Sequence, residues 1–204
     1  MGDILALAEN LKSLSWGQEY TARTTWTNSL VAKYLDLDEI ITALLHVKDT
    51  LERLQLRITI RKEDEYSGEV KMKVMGSFSG LRKFNRITDL EVPLVFLAGV
   101  GDQPQPLDDC TPSGIKTLSL SCVMLLNCAV AWDPSDDGWS DQGILKSVQD
   151  MSMNSFTSLP QLQRISIFYV DNWFENWQLF EMLEETPRDI EVRVIRRVPL
   201  LWDF

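Results

Sequence analysis

Apolar residues recur along this chain in one repeated spacing: an apolar position, two variable ones, a second apolar position, one variable, and a third apolar position. The copies are Leu11, Leu14 and Trp16; Leu51, Leu54 and Leu56; Ile87, Leu90 and Val92; Ile115, Leu118 and Leu120; and Leu162, Ile165 and Ile167. In each copy the last two apolar residues sit two apart, the period of a strand with one buried face. A further strand is expected through Ile190, Val192 and Val194, alternating with Glu191 and Arg193. A single unit of this kind cannot bury its own stripe. Stacked units can, with their strands side by side in a parallel sheet and the intervening segments packed over its apolar side.

The intervening segments carry their own signals. Leu37, Ile40, Ile41, Leu44 and Leu51 follow helical spacing, and Asp36 with Glu39 has the form of an N-terminal cap. A second helix is expected from Ile144, Leu145, Val148 and Met151 after Ser140, and a third from Trp173, Trp177, Phe180 and Leu183 before Pro187. Residues 54–60 and 70–75 both alternate apolar with polar residues around a turn-like segment containing Ser67 and Gly68, which reads as a hairpin insertion near residues 61–69. Two further loops are expected at 99–114, which holds Pro104, Pro106 and Pro112, and at 132–143, which is rich in aspartate.

Helix and strand alternating around one recurrent stripe give an α/β fold: a leucine-rich-repeat solenoid with a curved parallel sheet and helices and irregular segments on its outer face. Residues 1–204 form a single degenerate repeat domain, because each loop is followed by a unit that still needs neighbours. Successive copies begin 40, 36, 28 and 47 residues apart, against roughly 20 to 29 for regular leucine-rich repeats. Four segments, LLHVKDTLERLQL (44–56), GSFSGLRKFNRITDLEVPLVFL (76–97), PSGIKTLSLS (112–121) and LPQLQRISI (159–167), resemble fungal F-box/leucine-rich-repeat proteins in their order and loop content. The resemblance implies recruitment of a target protein by the repeats. In that family an F-box held by a Skp-type adaptor links the repeats to a ubiquitin ligase, whereas nothing before Leu11 here supplies an F-box. The chain is therefore expected to correspond to the repeat portion alone, with substrate recognition for such a ligase as the alternative role.

Composition narrows the partners. Thirty acidic against twenty basic residues leave a formal charge of −10, which disfavours phosphate backbones and anionic lipid, so neither nucleic acid nor a membrane is expected. No apolar run approaches the ~18 residues of a membrane span. Met1 to Trp16 lacks the basic leader of a secretory signal, and the three cysteines, Cys110, Cys122 and Cys128, form neither a CxxC pair nor a zinc set with histidine. The expected location is the cytoplasm or nucleus.

Catalytic and cofactor chemistry finds little support in the residues. The one histidine, His46, falls with Thr42, Glu39 and Asp49 on the polar side of the first helix, the place of a solvated side chain. Cys122 and Cys128 flank an apolar run and read as inert buried thiols. Asp133, Ser135, Asp137, Gly138 and Asp141 match an EF-hand loop in part, but Ile144 stands where the bidentate glutamate belongs, so no metal is assigned. The sequence Gly99-Val100-Gly101 continues into aspartate and prolines, unlike a phosphate loop. Trp173 and Trp177 are read as packing residues, and Trp139 as a solvent-facing aromatic. The expectation is a non-enzymatic chain without cofactor. A small-molecule pocket beside the aspartate-rich and tryptophan-rich loops is the remaining alternative.

What is left is the variable positions of the strands, whose side chains point away from the apolar interior. In order these are Arg53, Gln55 and Arg57; Asp89 and Glu91; Thr117, Ser119 and Ser121; Arg164, Ser166 and Phe168; and Glu191 and Arg193. Basic, acidic, hydroxyl and mixed strips follow one another, a pattern suited to recognising another protein by complementary charge.

Overall fold

Six strands lie side by side in the order in which the chain makes them, each parallel to the one before. They are β1 (Ser13–Ala22), β3 (Arg53–Lys62), β5 (Asp89–Pro93), β6 (Thr117–Ser121), β7 (Arg164–Val170) and β8 (Glu191–Arg197). The computed structural model describes residues 2–22, 33–62, 72–99, 105–122, 146–151, 153, 158–170 and 190–197. Leu14, Leu54, Leu90, Leu118, Ile165 and Val192 stand opposite one another across the whole sheet. One row further on, Trp16 faces Leu56, and Val92, Leu120, Ile167 and Val194 form a continuous line. The repeated spacing thus becomes two apolar rows running perpendicular to the strands. The leading residues of the pattern close the same core from below, with Leu51, Ile87 and Ile115 fully buried. Parallel pairing suits this arrangement because the intervening segments cover the sheet's apolar face.

Helix α1 (Gly2–Ala6) precedes β1, and β2 (Lys33–Asp36) leads directly into α2 (Leu37–Leu44). Leu37, Ile40, Ile41 and Leu44 of α2 are buried in the same core as the strand rows. The predicted cap is present: the Asp36 carboxylate accepts hydrogen bonds from the Asp38 and Glu39 amides at 2.9 and 3.3 Å. Replacing Asp36 by alanine is expected to cost about 1 kcal/mol by leaving those amides without a partner. Chemical denaturation of D36A against D36N, which retains an acceptor, measures it. The helix does not continue to Leu51. It tightens into a 3-10 turn at Leu45–Val47, and Leu51 enters the core from the segment before β3.

The expected hairpin does not form. Residues 53–62 are all β3, paired along their length with β1 and over Arg53–Gln55 with β5, and β4 (Met72–Met75) pairs in parallel with β2 in a separate two-stranded sheet. Alternation identified both strands correctly as strands, but it carries no information on which strand will be the neighbour. Of the 61–69 insertion, Arg61 and Lys62 belong to β3, and the rest lies outside the described residues.

Segment 99–114 is also less loop-like than expected. Its described part contains a short helix, α4 (Leu107–Cys110), with Leu107, Cys110 and Thr111 buried. Pro106 starts that turn, and the buried Thr111 hydroxyl donates to the Leu107 carbonyl at 2.6 Å, so no polar atom of that side chain is stranded. Between β5 and α4, helix α3 (Leu94–Ala98) is buried on all sides. Phe96 packs against Phe78 with ring centroids 5.2 Å apart in a tilted arrangement. Residues 146–151 are helical, with Val148 and Met151 buried as their spacing predicted. The acidic loop at 132–143 with Trp139, the expected helix from Trp173 to Leu183, and Cys128 lie outside the described residues. Among those that are described, no helix is long and apolar enough to cross a membrane.

Candidate functional site

Alternation along each strand and register between strands together decide which side chains share the polar face. One row is Ser13, Arg53, Asp89, Thr117, Arg164 and Glu191. The next is Ser15, Gln55, Glu91, Ser119, Ser166 and Arg193. Arg57 extends the face along β3, and Ser121 and Phe168 extend it opposite each other on β6 and β7. Register therefore places the inner-face residues read from the sequence on the side of the sheet opposite the apolar rows. Ser13 and Ser15 were missed, although the first copy of the spacing, at Leu11, Leu14 and Trp16, contains the signal for them.

The charged groups are knitted laterally. Ser15 Oγ donates to Gln55 Oε1 at 2.6 Å, and Gln55 Nε2 donates to Glu91 Oε2 at 2.6 Å. Arg57 Nε donates to Glu91 Oε1 at 2.8 Å, so one chain of bonds spans β1, β3 and β5. At the other end Arg164 Nε donates to Glu191 Oε2 at 2.7 Å, and Arg193 pairs with the same carboxylate. The Thr88 hydroxyl donates to Asp89 Oδ2 at 2.7 Å. Between the two charged ends lies the hydroxyl strip of Thr117, Ser119 and Ser121, half-buried on the neighbouring β6. Charge-assisted bonds of this kind fix side-chain rotamers, which lowers the ordering cost of binding. Arg53 is exposed, and its guanidinium has no partner among the described residues. Along the rim, Glu52 is bridged by Lys12 at 3.3 Å and Arg86 at 3.7 Å.

Ser166 departs from the expectation of an open face: it is buried, with 5% relative exposure. Strand parity turns it away from the apolar rows but does not decide what lies above it. Its cross-strand neighbours are Ser119 and Arg193. The accessible part of the face is consequently its two arginine-bearing flanks, where Arg53, Arg57, Arg164, Glu191 and Arg193 are exposed.

Hydrogen bonds from Arg164 and then Arg193 hold the Glu191 carboxyl below its ordinary pKa. A depressed folded-state value means that the pairing stabilises the protein above the ordinary carboxylate range and is lost as pH falls through the folded-state value. In an NMR titration, Glu191 is expected to protonate at lower pH than an unpaired glutamate, and Arg164→Gln to move it back toward the ordinary value. An unchanged titration in R164Q would show that the bond does not form in solution.

The other candidate groups are dispersed. His46 is exposed in the 3-10 turn after α2. Cys110 and Cys122 are free and buried, and burial, reinforced by the Asp109 charge, pushes the Cys110 thiol pKa up, away from a reactive thiolate. A cavity of about 620 Å³ opens between β1 and α2, far in sequence from either cysteine and lined in part by Trp16, Leu35, Glu39 and His46. No protein-family model, curated protein or solved structure matches the chain.

Proposed function

We propose that this chain is a leucine-rich-repeat-type solenoid that works as a non-catalytic protein-interaction module, binding its partner through the polar face of the six-stranded sheet. The observation that carries this reading is the laterally bonded face itself. Six strands present aligned polar rows, and Arg57, Arg164 and Arg193 are bonded to Glu91 or Glu191 while Arg53 stays free among the described residues. Structural stability does not require such a surface, since exposed ion pairs contribute only about 0–1 kcal/mol each. Held in place, they offer a partner a preset pattern of charge and hydrogen-bond groups. The chain-order parallel sheet and the continuous apolar rows behind it support the solenoid part of the reading.

The test is charge reversal at three exposed positions, Arg53→Glu, Arg57→Glu and Arg164→Glu, with circular dichroism confirming an unchanged fold. Proximity labelling in the native cell first identifies the partner, and its affinity for purified wild-type and triple-variant protein is then compared. A loss of about a hundredfold or more is expected, from removal of several charge-complementary contacts. A partner that binds both proteins alike does not use this face, and the reading then fails.

A further inference from the structure

The apolar rows of the sheet do not end in a closed wall at β1. Leu14 and Trp16 are only partly buried, whereas their counterparts Leu54 and Leu56 on β3 are almost completely so. Beside Trp16 lies the cavity of about 620 Å³, its other wall formed by Leu35, Ile40 and the start of α2. On the same end of the molecule, Ile4 of helix α1 and Leu7 in the turn after it are exposed at 74% and 87%. Gly2 of α1 lines the cavity as well.

The strand edge there is equally unfinished. Arg53 N–H bonds to the Lys12 carbonyl, which sets the phase of the parallel ladder: even-numbered residues of β1 direct their backbone groups at β3. Ser13, Ser15 and Gly17 therefore turn their N–H and C=O groups outward, and no described strand pairs with that edge. An open edge backed by an apolar cleft is a template for an added strand.

We propose that this end is a second binding site, which takes an extended, cationic segment of another protein as a seventh strand along β1. Alternate side chains of the incoming strand enter the cavity and prolong the rows of Leu14 and Trp16. Charge selects the occupant. The cavity lining carries Asp36, Asp38 and Glu39, and the whole chain is at −10, so a lysine or arginine among the cavity-facing side chains is favoured. A second copy of this chain would set the same carboxylates against each other. Asp36 and Asp38 are engaged with backbone amides, but the Glu39 carboxylate is exposed and has no partner among the described residues.

Gly17 supplies a selective test, because a Cβ built there meets nothing within 4 Å and its N–H faces away from β3. Gly17→Pro removes an edge donor without taking a bond from the sheet. The probes are two labelled peptides alternating threonine with isoleucine, one with lysine and one with glutamate in place of the central isoleucine, followed by fluorescence anisotropy. Wild-type protein is expected to bind the lysine peptide about tenfold or more tightly than the glutamate peptide, the scale of a like-charge penalty at a partly buried site. Gly17→Pro is expected to abolish binding while circular dichroism stays unchanged, and Glu39→Lys to reverse the preference. The charge-reversed triple arginine variant is expected to bind the lysine peptide as wild type does, which separates this site from the polar face. The proposal is overturned if neither peptide binds, if both bind equally, or if Gly17→Pro binds normally. It is equally overturned if sedimentation shows a dimer that Gly17→Pro dissolves, since the occupant would then be a second copy.

Discussion

Truncating Leu118 to alanine is expected to destabilise the protein by about 2–5 kcal/mol, the range for deleting a buried leucine whose surroundings cannot collapse. Leu118 is fully buried and sits in β6, with Leu90 on one side and Ile165 on the other. Both neighbours are held by their own ladders, so neither can move in to fill the gap. Total stabilities of ~5–15 kcal/mol make this a large fraction of what holds the domain together. Val192 occupies the same row on β8 but is only partly buried, and Val192→Ala is expected to cost about 1 kcal/mol, in proportion to the smaller area lost. Urea denaturation of the two variants measures the difference. Equal losses would mean that the rows are not a shared core.

The second large effect is expected at Gly76, which follows β4 with φ of 81°, a backbone conformation costly for any residue with a Cβ. A Cβ there would also lie 2.7 Å from Asp38 Oδ2 and 3.0 Å from the Asp38 amide nitrogen. Asp38 cannot simply swing aside, because its Oδ1 accepts the Ser77 amide at 3.2 Å, tying the start of α2 to the end of β4. Gly76→Ala is therefore expected to lose about 1–3 kcal/mol from backbone strain, with displacement of Asp38 adding to it. Gly17→Ala is the control, expected to be neutral or slightly stabilising, since its Cβ enters open space. Thermal denaturation gives both values. Faster hydrogen exchange at the Ser77 amide in G76A would locate the damage.

Much of this architecture can be read in the residues, and the reason is geometric. A strand's period of two fixes which side each residue takes, and the leading apolar residue of each copy fixes the phase. Leu14, Leu54, Leu90, Leu118, Ile165 and Val192 could therefore be placed in one row before any coordinates, and the register agrees at each step. The Asp36 cap was equally legible, because its signal lies within one turn of chain.

Features that depend on distant partners were not. Alternation in Met72–Met75 marks a strand but not its pairing with the short Lys33–Asp36. In Leu94–Ala98 every residue is apolar and every one is buried, so there is no polar face from which a helical period could be read. The polar face shows the same division. Its membership follows from parity, while the bond from Gln55 to Glu91 and the burial of Ser166 depend on side-chain reach and surroundings that parity does not specify. The open end beside Trp16 gave no sequence signal, since an apolar residue at an edge looks like one in the middle.

Because the strands of the main sheet are laid down in chain order, every excursion away from it has a single geometric obligation, to return the chain one strand-width further along. Such a plan is tolerant of length. Among the described residues, the excursion between β1 and β3 contains a strand and a helix of its own, while that between β5 and β6 shows two short helices. Lengthening or trimming one of these detours leaves the register of the other strands untouched, so a regular sheet coexists with connections of very different length.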